Sequence, residues 1–314
     1  MASSSLSIPL RKSGSSDTAT SPTSKSADIP RQLFGYDILD ILGEGAGSWI
    51  YAVSDPQTKQ IYALKHVKVK NDKQHRYAEQ LLNEVEVGKA VSHRLIRRLI
   101  DAKVSRTLLR KITEAALIME MVDGTPLDAN PPRDMAEMVK VFEQVAEALG
   151  ALHAAGFIHC DLKPNNILVC ADGSVKLIDL GQACPVYTIK QRIQGTPDFI
   201  SPEQVKCEPV TVRTDVFNLG ATLYWAVAGK SLPTLFNIKK GENSFLLDKV
   251  IPSPNELNPK VPQPLSNLVM ECVRTNPAKR PADMPEVMRR LELIRLVMTG
   301  ATGAPADVVD DVDD

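Results

Sequence analysis

The sequence predicts an α+β protein with two lobes, and three observations lead to that prediction. The chain has 314 residues, so at about 150 residues per domain we expect two domains or lobes. Apolar residues alternate in parts of the first half, as in half-buried strands, whereas in the second half they recur every three or four positions, as in helices. Strands followed by helices are typical of α+β proteins, and we expect a cleft between the two parts.

Composition and charge argue against several classes of protein. Hydrophobic residues make up 43% of the chain and charged residues 24%, an ordinary globular composition. The net charge is −1, whereas proteins that neutralise nucleic-acid phosphates are usually basic, so we expect no nucleic-acid partner. No apolar run approaches the roughly 18 residues of a membrane span. The five cysteines do not have the spacing of a zinc site, and the sequence shows no signal peptide. Both observations predict reduced thiols in the cytoplasm.

The two ends of the chain differ from its middle. Residues 1–30 are rich in Ser and Thr and hold too few large apolar residues to form a core, so we predict a disordered tail. Its Ser-rich, acid-poor start also faintly resembles an organellar targeting peptide, which is the alternative to a cytoplasmic location. Residues 301–314 carry five aspartates and predict a second disordered tail, which is acidic.

Periodicity predicts the main elements between the tails. Alternate residues over Ile61–Val69 are apolar, which predicts a strand, and Lys65 lies on its apolar face. An unpaired ammonium is costly to bury, so this lysine either reaches the edge of the strand or serves a function there. Helices are predicted near 136–153 and at Asp215–Val227, where apolar residues leave little polar face.

A glycine-rich segment precedes the strand that carries Lys65. Gly43, Gly45 and Gly47 lie within five residues, so backbone N–H groups there can approach an anion without obstruction by side chains. A simple tight turn explains many such clusters equally well. No Gly-Lys-Ser/Thr follows, so the segment is not a P-loop.

Two later segments carry acids and amides suited to phosphoryl chemistry. The first is HCDLKPNN at 159–166, where Asp161 can orient a hydroxyl, Lys163 can steady a phosphate charge and Asn166 can bind a metal ion. The second is KLIDLG at 176–181, where Asp179 offers the oxygen ligands that Mg²⁺ prefers. Taken singly, each acid also fits a helix cap or a turn.

Taken in order, these segments resemble the eukaryotic-like (Hanks-type) protein kinase family, and in particular its bacterial serine/threonine members. The glycine loop, the strand lysine, His-x-Asp-Leu-Lys-Pro-x-Asn, Asp-x-Gly and the later Gly-Thr-Pro and Ser-Pro-Glu follow the family's order over residues 34–297. The resemblance implies a bilobal fold, with a small β-rich N-lobe at 34–122 and a larger helical C-lobe at 126–297. It also implies ATP- and Mg²⁺-dependent phosphoryl transfer to a Ser or Thr hydroxyl of a protein substrate.

The resemblance implies a role for each site residue. Asp161, Lys163 and Lys65 are expected to be catalytic, and Asn166 and Asp179 to bind Mg²⁺. The residues expected to bind ATP are Leu42, Gly43, Gly45, Gly47, Ile50, Ala63, Lys65, Glu84, Met119, Glu120, Val122 and Leu168.

Family spacing also selects partners for some of these residues. Glu84 rather than Glu86 is expected to pair with the strand lysine, because the family places this acid nine residues before the position of His93. Thr196 is expected to contact the catalytic aspartate and lysine. Glu203 is expected to pair with Arg280 and to brace the platform on which a substrate lies.

Three departures concern the nucleotide-binding half. Ser48 stands where the third loop glycine is usual, with Gly47 one place early, and Leu180 replaces the usual Phe of Asp-Phe-Gly. Gly88 stands where the family usually has a large apolar residue, which packs in an internal apolar column with Leu99. This glycine predicts either a mobile helix that needs a regulatory partner contacting the Glu84 helix, or a different local packing.

A fourth departure concerns control of activity. Cys160 replaces an arginine that in many relatives binds a phosphate on the activation segment, so that receptor is missing. Lys190 and Arg192 lie on the segment itself and cannot anchor it to the core. We therefore predict activity that does not depend on phosphorylation at Tyr187 or Thr188. A redox switch at Cys160 is the alternative.

Two other functions compete with an active protein kinase. A pseudokinase scaffold would keep the fold without the chemistry, but Lys65, Asp161, Asn166 and Asp179 are all present. A small-molecule phosphotransferase would also show an HxD and an Ile-Asp pair. The Ser-Pro-Glu platform argues against that class.

Overall fold

The computed structural model describes residues 30–45, 47–233 and 251–300. The predicted tails at 1–30 and 301–314 therefore lie outside the described residues, except for position 30. One compact unit begins at Gln32 and holds all the elements below. Among the described helices, none is long and apolar enough to cross a membrane.

An antiparallel sheet of six strands forms the first half of this unit. Its strands are β1 (Gln32–Leu33), β2 (Tyr36–Gly45), β3 (Ser48–Ser54), β4 (Ile61–Lys68), β5 (Leu99–Arg106) and β6 (Ile112–Glu120). Their order across the sheet is β1-β2-β3-β4-β6-β5. The strand predicted from the alternation at 61–69 is confirmed as β4, where Ala63 and Val67 are buried on the same face.

Helix α1 (Asp72–Ala90) covers one face of the sheet. Asn71 caps its first turn by accepting a hydrogen bond from the Gln74 backbone N–H, which satisfies one of the free donors at a helix start. Buried residues of α1, among them Leu81 and Val85, pack against apolar side chains of β4 and β6. Burial of each such side chain stabilises the fold by about 1.5–3 kcal/mol, so α1 is fixed mainly by packing.

The second half of the unit is mostly helical. Its helices are α2 (Met135–Ala154), α3 (Pro202–Val205), α4 (Val212–Ala228), α5 (Pro254–Leu257), α6 (Gln263–Cys272) and α7 (Met284–Thr299). The helices predicted near 136–153 and 215–227 are confirmed as α2 and α4. Both contribute buried side chains, such as Phe142 and Leu223, to one large core.

Short strands before and between these helices flank the polar loops. Strands β7 (Gly124–Pro126), β9 (Ile167–Cys170) and β10 (Val175–Leu177) form one small sheet, and β8 (Phe157–Ile158) pairs with β11 (Cys184–Pro185). The HCDLKPNN segment lies between β8 and β9, and Asp179 follows β10.

Backbone bonds at residue 177 join the two halves. The N–H of Leu177 donates to the carbonyl of Leu95, and its own carbonyl accepts from the N–H of Arg97. The end of β10 is thereby fixed beside the segment that connects α1 to β5. This junction brings Asp179 under the six-stranded sheet, where Lys65 lies.

Candidate active site

The ammonium of Lys65 is held by two carboxylates. Its Nζ lies 2.8 Å from Glu84 Oε2 and 3.1 Å from Asp179 Oδ1. Burial alone would lower the pKa of Lys65, but the two carboxylates outweigh it and the pKa is raised. Glu86, the acid not chosen from the spacing, has a side chain that is 75% exposed and pairs with Lys89. The lysine on the apolar face of β4 therefore has partners, one from α1 and one from beyond β10.

Asp179 has an unusual backbone that orients its carboxylate. Its φ is +64°, in the left-handed region that non-glycine residues seldom adopt. Oδ1 also accepts a hydrogen bond from the Gly181 N–H at 3.4 Å. Burial raises the pKa of Asp179, but Lys65 outweighs it and the value falls to about 2. The group is therefore ionised at neutral pH, and its side chain is 41% exposed.

Asp161 is bonded through both carboxylate oxygens. Oδ1 accepts from the Thr196 hydroxyl at 2.8 Å, and Oδ2 accepts from Lys163 Nζ at 3.0 Å. Lys163 also donates to the Thr196 hydroxyl at 3.0 Å. The contact expected of Thr196 is thus present, and three residues form a closed hydrogen-bonded triangle. A carboxylate held in this way has a fixed orientation, which general acid–base work requires.

Asn166 is oriented so that its amide oxygen is available. Its Nδ2 donates to the backbone carbonyl of Asp161 at 2.8 Å, and its own carbonyl accepts from the Ile178 N–H at 3.0 Å. Within the described residues, its side-chain oxygen and Asp179 Oδ2 accept no hydrogen bond. One amide oxygen and one carboxylate oxygen are ligands that suit a hard divalent cation such as Mg²⁺. These residues therefore fit a metal ion of that kind.

Asp215 on α4 fixes the loop that carries Asp161. Fully buried, it accepts from the backbone N–H groups of His159 at 2.7 Å and Cys160 at 2.9 Å. It also lies 2.8 Å from His153 Nε2. The loop needs this support, because Cys160 has a φ of +64°. Sequence reasoning placed Asp215 in a helix but did not assign it this role; an acid on a helix with almost no polar face was the available signal.

The glycine loop is the turn between β2 and β3. Gly43 pairs with Ile50 and Gly45 with Ser48, while Leu42 on β2 is exposed. Gly47 has a φ of +90°, and a Cβ there would lie 2.6 Å from the ring of Tyr77 on α1. Only glycine fits this position without strain, for both reasons.

The residues expected around adenine lie near the start of β4, the end of β6 and the start of β9. Ala63 pairs with Met119 across two strands, and both are buried, as is Leu168 on β9. After β6, no backbone hydrogen bond within the described residues uses the N–H or carbonyl of Val122. These groups can therefore bond a flat heterocycle.

Glu120, at the end of β6, has a side chain that is already engaged. Its carboxylate accepts from Lys176 Nζ at 2.9 Å and from the Arg98 N–H at 3.1 Å, and its own N–H donates to the Arg98 carbonyl. Any contact with a nucleotide would therefore come from its backbone carbonyl. The ion pair joins β6 to β10 and so steadies the link between the two halves.

Backbone and side-chain hydrogen bonds from several elements hold the activation segment. Tyr187 donates its N–H to the Val210 carbonyl at 2.7 Å, and Val210 donates in turn to the Thr188 carbonyl at 3.0 Å. Asn83 on α1 donates to carbonyls of the same segment, and Lys190 Nζ donates to the Gln182 carbonyl at 2.8 Å. Sequence reasoning missed the part played by Asn83.

The buried ion pair expected below the site is present. Arg280 Nη1 donates to Glu203 Oε1 at 2.7 Å, and Arg280 Nη2 donates to Glu203 Oε2 at 2.9 Å. Thr214 donates its hydroxyl to Glu203, and Gln204 donates from Nε2 to the carbonyl of Cys160 at 2.7 Å. Helix α3 therefore ties the Ser-Pro-Glu platform to the catalytic loop.

Of the two alternatives for Gly88, the structure has the different packing. The side chain of Leu99 occupies the space that a Cβ at Gly88 would need. The space beside Gly88 is therefore filled by a side chain of β5.

Comparison with known proteins identifies this arrangement. The protein kinase domain family matches residues 36–291. The chain belongs to this family. The resemblance and the bilobal α+β fold predicted from the sequence are thereby confirmed. Membership of the protein kinase family implies ATP as the phosphoryl donor and, in general, a dependence on metal ions.

Several bacterial protein kinases are similar to this chain. It is 32% identical to the serine/threonine-protein kinase AfsK of Streptomyces coelicolor, over 81% of this chain and 32% of that protein. It is 25% identical to a probable serine/threonine-protein kinase of Clostridium acetobutylicum, over 83% and 40%. It is 25% identical to the serine/threonine-protein kinase PrkC of Bacillus subtilis, over 80% of this chain and 39% of that protein. The chain thus spans about a third to two fifths of the length of these relatives.

Proposed function

We propose that this protein is an active serine/threonine kinase that transfers the γ-phosphoryl group of ATP to a protein hydroxyl with Mg²⁺. The observation that carries the proposal is the pair of assembled clusters. One joins Lys65 to Glu84 and Asp179, and the other joins Asp161 to Lys163 and Thr196. Such preassembly is what phosphoryl transfer needs, because catalysis there consists mostly of positioning and charge stabilisation.

The mechanism is direct in-line transfer without a phosphorylated enzyme intermediate. Asp161 orients the acceptor hydroxyl and takes its proton late, since both its oxygens are held in place. Lys163 adds positive charge beside the transferred group, and Lys65 holds the α- and β-phosphates. Asn166 and Asp179 would hold Mg²⁺, which would neutralise charge on the phosphates.

Serine and threonine are the proposed acceptors. The Lys163–Asp161–Thr196 triangle supports this choice, because a lysine two residues after the aspartate and a Gly-Thr-Pro segment belong to the serine/threonine pattern. We expect no strong demand for arginine upstream of the target. The acid that could satisfy such an arginine, Asp128, already accepts a hydrogen bond from Asn165 at 2.7 Å.

Location and partners also remain proposals. The free state of the five cysteines supports the cytoplasm over an oxidising compartment. We propose a protein substrate as the main partner and no nucleic acid. The filling of the Gly88 position by Leu99 supports activity without a regulatory partner on the Glu84 helix.

Labelled ATP, Mg²⁺ and a generic protein substrate provide the test. We expect transfer by the wild type and none by Asp161→Ala or Asp179→Ala, while circular dichroism shows that both variants are folded. Asp172→Ala, in the turn before β10, is the matched control and should keep full activity.

Each rival function gives a different result in the same assay. A pseudokinase would transfer nothing, with the wild type equal to Asp161→Ala. A small-molecule phosphotransferase would label small hydroxyl compounds and leave proteins unlabelled. Either result would overturn the proposal.

A further inference from the structure

Two cysteines face each other between the catalytic loop and the activation segment. The sulfur of Cys160 lies 3.6 Å from the sulfur of Cys184. Cys160 directly precedes Asp161, whereas Cys184 opens strand β11 and pairs with Ile158 on β8. The two residues are 1% and 6% exposed, and both are free thiols. Their spacing of 24 residues carries no motif, so only the fold brings them together.

The surroundings keep the two sulfurs close. They lie in a small apolar cluster with Ile158 and Val210. The backbone of Cys160 is bonded on both sides, since its N–H donates to Asp215 and its carbonyl accepts from Gln204.

The two thiols differ in acidity. The pKa of Cys184 is lowered, because its hydrogen bond with the Cys160 thiol and the nearby ammonium of Lys190 outweigh burial, which raises it. The pKa of Cys160 is raised by its bond to Cys184, by burial and by the nearby carboxylate of Asp215. Because thiolates are the nucleophilic form, Cys184 is the first of the two to react.

We propose that Cys160 and Cys184 form a peroxide-reactive pair that closes to a disulfide between the catalytic loop and the activation segment. The Cys184 thiolate attacks one oxygen of hydrogen peroxide, the O–O bond breaks, and Cys184 becomes a sulfenic acid while hydroxide leaves. The Cys160 sulfur then attacks the Cys184 sulfur and displaces the hydroxyl group. The thiol protons end on the two hydroxides, so two thiols and one peroxide give one disulfide and two waters.

The disulfide would preserve the arrangement of the site. A disulfide bond is about 2.05 Å long, so the sulfurs approach each other by about 1.5 Å. In the present arrangement, with the sulfurs already adjacent, both the Lys65 cluster and the Asp161 cluster are assembled. The crosslink would therefore hold the segment against the loop at the position where many relatives use an arginine and a phosphate.

Peptide mapping of the full chain tests the pair directly. Trypsin gives peptide 141–176, which carries Cys160 and Cys170, and peptide 177–190, which carries only Cys184. In Cys170→Ser each peptide carries a single cysteine, so one linked mass identifies the bond. After equimolar peroxide and alkylation we expect this linked peptide, and we expect dithiothreitol to separate it.

Single substitutions supply the controls. Cys184→Ser should give no link, and Cys160→Ser should leave a sulfenic acid on Cys184 that a 1,3-diketone probe traps. Cys207→Ser, which removes a more exposed cysteine, should link as the wild type does. Oxidation of Cys170 or Cys207 while the pair stays reduced would overturn the proposal, as would overoxidation of Cys184 without a link. These outcomes do not depend on kinase activity.

A second experiment tests the effect of the disulfide on the activation segment. We expect the linked protein to keep its kcat within about twofold, and trypsin cleavage after Arg192 to slow about fivefold because opening of the segment is restrained. Loss of more than about tenfold in kcat on oxidation, restored by dithiothreitol, would show that the disulfide distorts the site and would overturn this part.

Discussion

Asn83 Nδ2 lies 2.8 Å from the carbonyl oxygen of Ala183, a residue 100 positions further along the chain. The same amide also donates to the carbonyl of Gly181 at 3.2 Å. Asn83 directly precedes Glu84, the partner of Lys65. One turn of α1 therefore fixes both the ammonium of Lys65 and the start of the activation segment.

Removal of this amide should slow the enzyme. We expect Asn83→Ala to lower kcat about tenfold, equivalent to about 1.4 kcal/mol, because α1 and the segment lose their tie. Steady-state kinetics measure it, and Glu86→Ala on the exposed face of α1 is the control. A normal kcat in Asn83→Ala would show that packing alone positions the helix.

Activity should not require phosphate on the activation segment. We expect the double variant Tyr187→Phe and Thr188→Val to keep its kcat within about threefold of the wild type. The backbone bonds from Tyr187 and Val210 persist in this variant, although the bond from the Thr188 hydroxyl to the Pro185 carbonyl is removed. A loss of about a hundredfold, or about 2.7 kcal/mol, with folding unchanged would contradict this expectation.

The buried pair of Glu203 and Arg280 should be needed for stability. Glu203→Gln leaves the buried guanidinium without its countercharge, so we expect the free energy of unfolding to fall by about 3–5 kcal/mol. Urea denaturation measures the change. Glu271→Gln is a matched control, because Glu271 forms a similar two-pronged pair with Arg290 that is partly exposed. There we expect a loss of about 1 kcal/mol or less; equal losses would contradict the argument.

Acid should weaken the hold of Asp215 on the catalytic loop. Burial raises the pKa of Asp215, but the bonds from His153 and from backbone N–H groups outweigh it, so the pKa lies below its ordinary value of 3.8. A lowered pKa means that the stabilisation is complete above that ordinary value and is lost as the pH falls through the folded-state value.

Asp215→Asn should show this dependence directly. We expect it to lower the free energy of unfolding by about 3 kcal/mol at pH 7, and we expect the deficit relative to the wild type to shrink as the pH falls below 3.8. Urea denaturation at several pH values measures it. A deficit that stays constant into acid would show that the charge of Asp215 contributes nothing.

The packing at Gly88 predicts that the effect of Gly88→Ala on stability reverses when Leu99 is removed. Alanine favours a helix over glycine by about 1 kcal/mol, but a Cβ at Gly88 meets the side chain of Leu99. We therefore expect Gly88→Ala to destabilise the wild type by about 1 kcal/mol net, since overpacking costs about 1–3 kcal/mol. In a Leu99→Ala background the same substitution should stabilise by about 1 kcal/mol. Thermal unfolding of the four proteins measures the cycle, and the same sign in both backgrounds would contradict it.

The sequence predicted the elements and the polar clusters because their signals are local or ordered along the chain. The alternation around Lys65 and the helical stripes of α2 and α4 each lie within one element. The spacing of the motifs also selected Glu84 over Glu86, and it is Glu84 that contacts the lysine.

Contacts between distant residues could not be predicted in this way. Nothing near Asn83 distinguishes it from an ordinary exposed helix residue, because its partners are backbone carbonyls about a hundred residues away. Likewise the nearness of Cys160 and Cys184 follows from the pairing of β8 with β11, two strands of two residues each. Such short strands have no periodicity to detect.

The contact of Gly47 with Tyr77 joins the tip of the glycine loop to α1. The ring of Tyr77 occupies the place of a side chain at the tip of the hairpin, so the tip rests on α1. Asn83, six positions further along the same helix, contacts the activation segment. If a nucleotide lifts the tip, the helix loses a neighbour, and nucleotide affinity becomes coupled to the state of the segment. Linkage is reciprocal, so a substrate that changes the segment would change nucleotide affinity by the same factor.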